Sequence, residues 1–290
     1  MSTGAPEPVW LARLSLLLLA LPVVALVWQV LDRPAPARLP APAVMPAALR
    51  AAAPPPESID WAAFTSERRR REQLLQFVHA PLEHHNAAII ADRRRLERLR
   101  TRQPLTPTEL DWLAGLASRY GLPPQDWQSQ GSFRRLAARV DVVPPSLPLA
   151  HAALVTRWGH HEQMLALHNL FRRLCHTPDC GALPPTRPAG RHYRWQRFGS
   201  AAEAVAGELH RYNTHPAYLA FRQARAERRR ARQPLAGLAL LAALPPHAFD
   251  PHPTAEIESV IRTRQLNHLD AIASCRTHHW PGCPEALTAP

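Results

Sequence analysis

The chain has no lysine. All 35 of its basic residues are arginine, against 23 acidic ones, which gives a formal charge of +12 over 290 residues. Such an excess suits a polyanion partner. No zinc-finger spacing, nucleic-acid recognition motif or interleaved aromatic platform accompanies it, however, so nucleic-acid binding is not expected. The clusters "ERRRRE" (Glu67 to Glu72) and "ERRRAR" (Glu227 to Arg232) alternate with apolar positions at helical spacing, as solvated mixed-charge helix faces do. With the abundance of Ala and Pro, the missing lysine points to a compositional bias of the source genome. The chain also lacks an H-E-x-x-H signature, and neither a metal nor a cofactor is expected. No long alternating run of apolar and polar residues occurs, nor any internal repeat, which leaves a mainly α fold.

Cysteine is scarce, with four residues in two local pairs: Cys175 and Cys180 in "CHTPDCG", Cys275 and Cys283 in "CRTHHWPGC". Four cysteines allow three pairings; Pro and Gly in each short loop favour the local one, in an oxidising compartment. The competing reading is zinc, because His176, His278 and His279 lie in the same loops, but the spacing matches no standard four-ligand finger. The run "LSLLLLALPVVALVWQVL" (Leu14 to Leu31) has no charge and carries Trp10 and Trp28 near its ends, as a membrane anchor would. Arg33, Arg38 and Arg50 after the span, against Arg13 before it, favour a cytoplasmic body; the cysteines favour the opposite side. An uncleaved single-pass inner-membrane anchor with a periplasmic domain is the expectation.

Five segments follow: an anchor at 1–31, a Pro/Ala-rich tether at 32–57, a helical preface at 58–140, a main domain at 141–272 and a Cys-containing tail at 273–290. In the preface Ser66 can cap a helix running to Arg100, with Pro81 expected to kink or restart it. Thr106, Pro107 and Glu109 make a helix start, and Gly121 a stop. A short helix is expected near Phe133 to Val140 and a short hairpin near Arg191 to Phe198 ("RHYRWQRF"). Ser200 with Glu203 reads as a capping pair, and Glu208 as a solvated helix residue.

The order "VDVVPPSLPLAHAALVTRWG", "HNLF", "CHTPDCG", "FGSAAEAVAGELHRYNTHPAYLAFRQAR" and "IESVIRTRQLNHLD" resembles the bacterial Bax-type family of glucosaminidase-like proteins, related to glycoside hydrolase family 73, from about Phe64 to Asp270. The resemblance implies a lysozyme-like helical domain of the mannosyl-glycoprotein endo-β-N-acetylglucosaminidase type, acting on peptidoglycan with a helix-end glutamate as proton donor. It also implies substrate contacts at Trp158, Asn169, Phe171 and Tyr218. Aligning Trp158 and Gly159 with the family's Trp-Gly puts Val155 at the acid's position, and valine cannot transfer a proton. After Asn169, Leu170 and Phe171 the family has Gly-Gln-Trp, where this chain has Arg172, Arg173 and Leu174. The family's Tyr-Ser-x-x-Gly stretch corresponds to "PPHAFDPHP" (Pro245 to Pro253), without a tyrosine. Two expectations therefore stand side by side. One is a catalytically degenerate module that binds a peptidoglycan glycan or a cell-envelope protein; the other is an active hydrolase with a replacement acid, His151 or Glu162.

Overall fold

The computed structural model describes residues 59–277, apart from 103, 128, 186 and 189. The anchor, the tether, Cys283 and both tail histidines lie outside them; among the described residues no helix is long and apolar enough to cross a membrane. The architecture is mainly α, with ten α-helices and one small three-stranded antiparallel sheet among the described residues.

Helix α1 (Glu67–Thr101) runs 35 residues from the expected cap, where Ser66 accepts from the Arg69 N–H. It continues through Pro81 rather than restarting. The proline forfeits one backbone hydrogen bond and crowds the preceding turn, a cost of about 3 kcal/mol, but Leu74, Phe77, Val78 and Leu82 around it are buried in the main core. The distal half, through Leu96 and Leu99, builds a second core with α2 (Pro107–Arg119) and α3 (Gln130–Arg139). Helix α2 starts with a complete capping box between Thr106 and Glu109 and stops at Gly121 (φ 65°). Helix α3 begins three residues earlier than expected, because Ser129 caps it through the Gly131 N–H.

The main core gathers α1, α4 (Ser146–Val155), α6 (Ala201–Thr214), α7 (Leu219–Arg230) and α9 (Thr254–Thr263) around Phe171, Tyr212, Tyr218 and Phe221. Helix α4 has no local side-chain cap. Asp270, on α10 (Asn267–Thr277), supplies one from 124 residues away, accepting from the Ser146 N–H and hydroxyl at 2.9 and 2.7 Å. The same carboxylate accepts from the Gly237 N–H at 2.7 Å, at the start of the short helix α8 (Gly237–Leu240). Burial pushes Asp270 up to about 7 despite these three donors. At Gly237 a Cβ would meet Ser146 Oγ at 2.2 Å, so only glycine lets the three segments meet.

Polar burial also corrects two readings of charge. Arg229, expected on a solvated face, pairs with the buried Asp141 at 2.7 Å, and Arg225 is wholly buried, donating to the carbonyls of Ala138, Asp141 and Val142. Glu208 is 1% exposed, so it does not serve solvation. The Ser200–Glu203 pair does form, with the Glu203 carboxylate reaching one residue further back to the Gly199 N–H.

Residues 191–198 do not close a hairpin. They contain no residue suited to a tight turn and stay extended as β3 (Arg194–Gln196), which pairs with β1 (Leu174–Cys175) on one side and β2 (Gly181–Ala182) on the other. The Cys175–Cys180 disulfide, in the expected local pairing, ties the two outer strands together. Gly181 is required there, since a Cβ would stand 1.8 Å from the Trp195 carbonyl oxygen. The second expected pair, Cys275 with Cys283, extends outside the described residues.

Candidate functional site

Helix α4 carries the residues from which the chemistry was expected. It ends at the predicted stop, where Arg157 (φ 49°), Trp158 (φ 58°) and Gly159 (φ 91°) follow one another in left-handed backbone. Val155 is 4% exposed and sealed among Met164, Leu167 and Trp195. A carboxyl group there would sit in apolar surroundings at a helix C-terminus, and both effects disfavour its ionised form. Thr156 next to it is wholly buried with its hydroxyl committed to the Ala152 carbonyl at 2.7 Å.

The expected site residues separate into three places. Trp158 is half-buried between the guanidinium groups of Arg264 and Arg71, 5.1 and 5.8 Å from its ring centroid. Glu162 is exposed at the start of α5 (Glu162–Ala166), in a groove also lined by Ile59, Trp61, His160 and Leu165. His151, Phe171 and Tyr218 are buried elsewhere, along the crevice where α4, α6 and the segment around Phe249 pack together, His151 against Phe171 and Phe249 and Tyr218 against Tyr212. Asn169 lies at its edge as a clamp: its amide donates to the Arg173 and Gln196 carbonyls and accepts from the Arg173 N–H at 2.7 Å, so every polar atom faces backbone.

The crevice is built by packing. The His151 ring, 1% exposed, stands 5.7 Å from Phe171 and 5.2 Å from Phe249, in the stretch that has no tyrosine. Tyr212 and Tyr218 lie 4.8 Å apart, and the Arg211 guanidinium stands 4.8 Å over the Tyr218 ring. Arg211 in turn grips Glu208 with two hydrogen bonds, of 2.5 and 3.0 Å, and reaches the Ala248 carbonyl at 3.4 Å. His215 and His247 are exposed and His252 half-buried beside these groups. Tyr212, Glu208, Arg211 and Phe249 were not singled out from sequence as site residues. The signal was nonetheless present, since "ELHRYNTHPAY" places an i, i+3 acid–base pair and two tyrosines around a helix break.

Several crevice groups have no partner. Both ring nitrogens of His151 and the hydroxyls of Tyr212 and Tyr218 are buried without a hydrogen bond among the described residues. Each such group costs about 1–3 kcal/mol when left unmet. Burial, with help from Arg211 and His252, holds His151 well below the usual imidazole range, so it presents one N–H donor and one lone pair. Burial likewise pushes both phenols up, with Arg211 opposing it at each tyrosine without completing a hydrogen bond to Tyr218 of proper geometry. Burial alone would lower Arg211, but Glu208 overrides it and keeps the guanidinium charged. The ensemble can donate, accept and stack. Its one buried carboxylate, Glu208, is held by an arginine. Among the described residues no three His, Cys, Asp or Glu side chains converge as a metal site would need.

The fold is thus a mainly helical domain with a buried cluster of aromatic and polar side chains around His151, Tyr212 and Tyr218. The chain is distantly homologous to Protein bax of Escherichia coli (strain K12), with 29% identity over 182 residues. The match covers 63% of this chain and 65% of that protein, short of two thirds of its length. No family model matches the sequence, and no solved structure matches it.

Proposed function

We propose that the protein is a catalytically degenerate glucosaminidase-like module that binds a peptidoglycan glycan at the cell wall, held in the periplasm by an inner-membrane anchor at residues 14–31. The observation that carries this reading is the state of the carboxylates. The helix end where a proton donor is expected holds Val155 in an apolar seal, and Glu208, buried beside the crevice, is locked to Arg211. A general acid needs a carboxyl group free to face its substrate, and both oxygens of Glu208 are turned to Arg211 instead. The unpartnered imidazole and phenol groups instead suit hydrogen bonding to a sugar. The distant homology to Protein bax is consistent with descent from a family of this kind.

The test uses the full chain in detergent with purified sacculi, following soluble muropeptide release and co-sedimentation together. The native protein is expected to sediment and release nothing. Val155→Glu is expected to keep sedimenting, and any release it gains marks where an acid belongs. Release by the native chain overturns the degenerate reading. In that case His151→Ala and Glu162→Gln identify the replacement acid, although His151 is held neutral and Glu162 stands in a different groove.

A further inference from the structure

A groove of about 490 Å³ opens between the start of the preface and the turn that follows α4, within the size range of ligand pockets. Phe77, Gly159 and Leu165 are its buried lining, and Trp61 beside them is half-buried. The indole stands edge-on to Phe77 with ring centroids 5.6 Å apart, and a Cβ at Gly159 would come within 3.0 Å of it. Packing against both α1 and the end of α4 therefore fixes Trp61 in place.

The exposed lining is acidic. Asp60 and Glu162 both face solvent there, and neither carboxylate has an ion-pair partner among the described residues. Asp60 accepts only from the Ala62 N–H, at 3.0 Å, and the Glu162 carboxylate makes no hydrogen bond among the described residues. Arg70, the arginine of the lining, is already engaged: it donates to the Phe64 carbonyl at 2.6 Å and to Glu67 at 3.1 Å, and lies against the His160 ring. A chain of formal charge +12 repels cations at long range, so a cation that binds it must be held locally.

An indole beside free carboxylates suits a guanidinium or ammonium group, which the ring and the acids attract together. The buried apolar lining suits aliphatic neighbours of that group. A bare metal ion would leave the apolar lining unused, and a neutral apolar group would leave both carboxylates unused. We propose that the groove docks a basic peptide segment of a protein partner, with arginine or lysine held by Asp60, Glu162 and Trp61 and its apolar neighbours turned toward Phe77 and Leu165.

Fluorescence anisotropy of the full chain in detergent would follow a labelled pentapeptide, Leu-Arg-Ala-Arg-Leu with blocked ends. The comparison probes are a copy with citrulline, the neutral isostere, for both arginines, a copy with serine for both leucines, and free agmatine as a competitor. The arginine peptide is expected to bind about tenfold more tightly than the citrulline copy, as two exposed ion pairs and one cation–π contact would give. It should bind at least about threefold more tightly than the serine copy, through partial burial of the leucines. Asp60→Asn combined with Glu162→Gln should bring the arginine and citrulline peptides to within about twofold of each other. Trp61→Leu should weaken the arginine peptide more than the citrulline copy. Unaltered thermal melting of these variants confirms that folding is intact.

Equal binding of the arginine and citrulline peptides, a preference that survives the double variant, or no binding at millimolar peptide overturns the assignment. So does agmatine competing as strongly as unlabelled peptide, or the serine copy binding as tightly, since either result means that the cation alone is recognised. Sedimentation with sacculi should be the same for the double variant and the native chain. Its loss in the double variant would assign the groove to the glycan and overturn peptide docking, whereas peptide binding without sedimentation of the native chain would sink only the cell-wall reading.

Discussion

Two regions of this protein bury clusters of polar and charged groups, and they differ in how far those groups are satisfied. Around Asp141, three arginines from α1 and α7 converge on one carboxylate: Arg229 at 2.7 Å, Arg93 at 3.3 Å and Arg225 at 3.8 Å. Most surplus guanidinium donors go to backbone carbonyls, Arg93 to Ala137 and Val140, Arg225 to Ala138, Asp141 and Val142, while Arg225 Nε has an ion-pair partner at 3.8 Å and no hydrogen bond among the described residues. Burial opposes the charge on Asp141, but the three arginines hold its carboxyl well below the usual range. Around His151 the balance differs: its imidazole and the hydroxyls of Tyr212 and Tyr218 have no hydrogen bond among the described residues. A satisfied buried network specifies a structure; an unsatisfied one is tolerated where it meets something from outside. The first region holds α1, α3 and α7 together, and the second is where binding is to be sought.

Substitutions that leave partners behind should therefore be severe in the first region and mild in the second. Asp141→Ala strands the buried Arg225 and Arg229 and the half-buried Arg93, and the expected loss is about 4 kcal/mol, in the range for breaking a buried ion cluster. Urea unfolding of the full chain measures it, and a loss below about 1 kcal/mol would mean that the cluster is not what joins these helices.

The crevice has its own signature in acid. The folded protein holds His151 neutral, whereas in the unfolded chain it titrates near the ordinary 6.5, so the unfolded state takes up the extra proton as pH falls below that value. Stability attributable to His151 is thus present above pH 6.5 and lost below it, at up to about 1.4 kcal/mol per pH unit until the depressed folded value is reached. His151→Phe should unfold with a shallower pH dependence between roughly pH 5 and 6.5. Parallel curves for the two proteins would mean that the imidazole is not held neutral.

The smallest effect sharpens the contrast most. Tyr212→Phe deletes a buried hydroxyl that has no partner, so melting should show no loss and a gain of up to about 1 kcal/mol, while sugar binding falls. A loss of stability instead would mean that the hydroxyl is satisfied, as the groups around Asp141 are.

Local features were legible in the sequence because their causes are local. Ser66, the Thr106–Glu109 box, the Gly121 stop and the Ser200–Glu203 pair each act within one helical turn, and each was found at its expected position. The Cys175–Cys180 bridge spans only five residues and was readable for the same reason. Charge was less legible. Arg229 and Glu208 sit in sequence among exposed neighbours, and only partners far along the chain, Asp141 for Arg229, or the burial of a whole helix face for Glu208, decide that they are inside. The restart allowed at Pro81 and the hairpin expected at 191–198 do not occur, because a core of distant residues outweighs a helix breaker, and because a strand with two distant partners needs no turn of its own.

What the sequence by itself determined is the helical class, the helix starts and stops, the local disulfide and the valine at the end of α4. Each follows from side chains acting on nearby backbone, or from the residue's own chemistry. The tertiary structure alone decided that Asp270 caps a helix 124 residues away, that Asn169 clamps Arg173, and that His151, Phe171, Tyr212, Tyr218 and Phe249 form one crevice. Those contacts join positions with no shared periodicity. They exist because burying the apolar faces of α4, α6 and the segment around Phe249 against one another brings the polar groups on those faces inside.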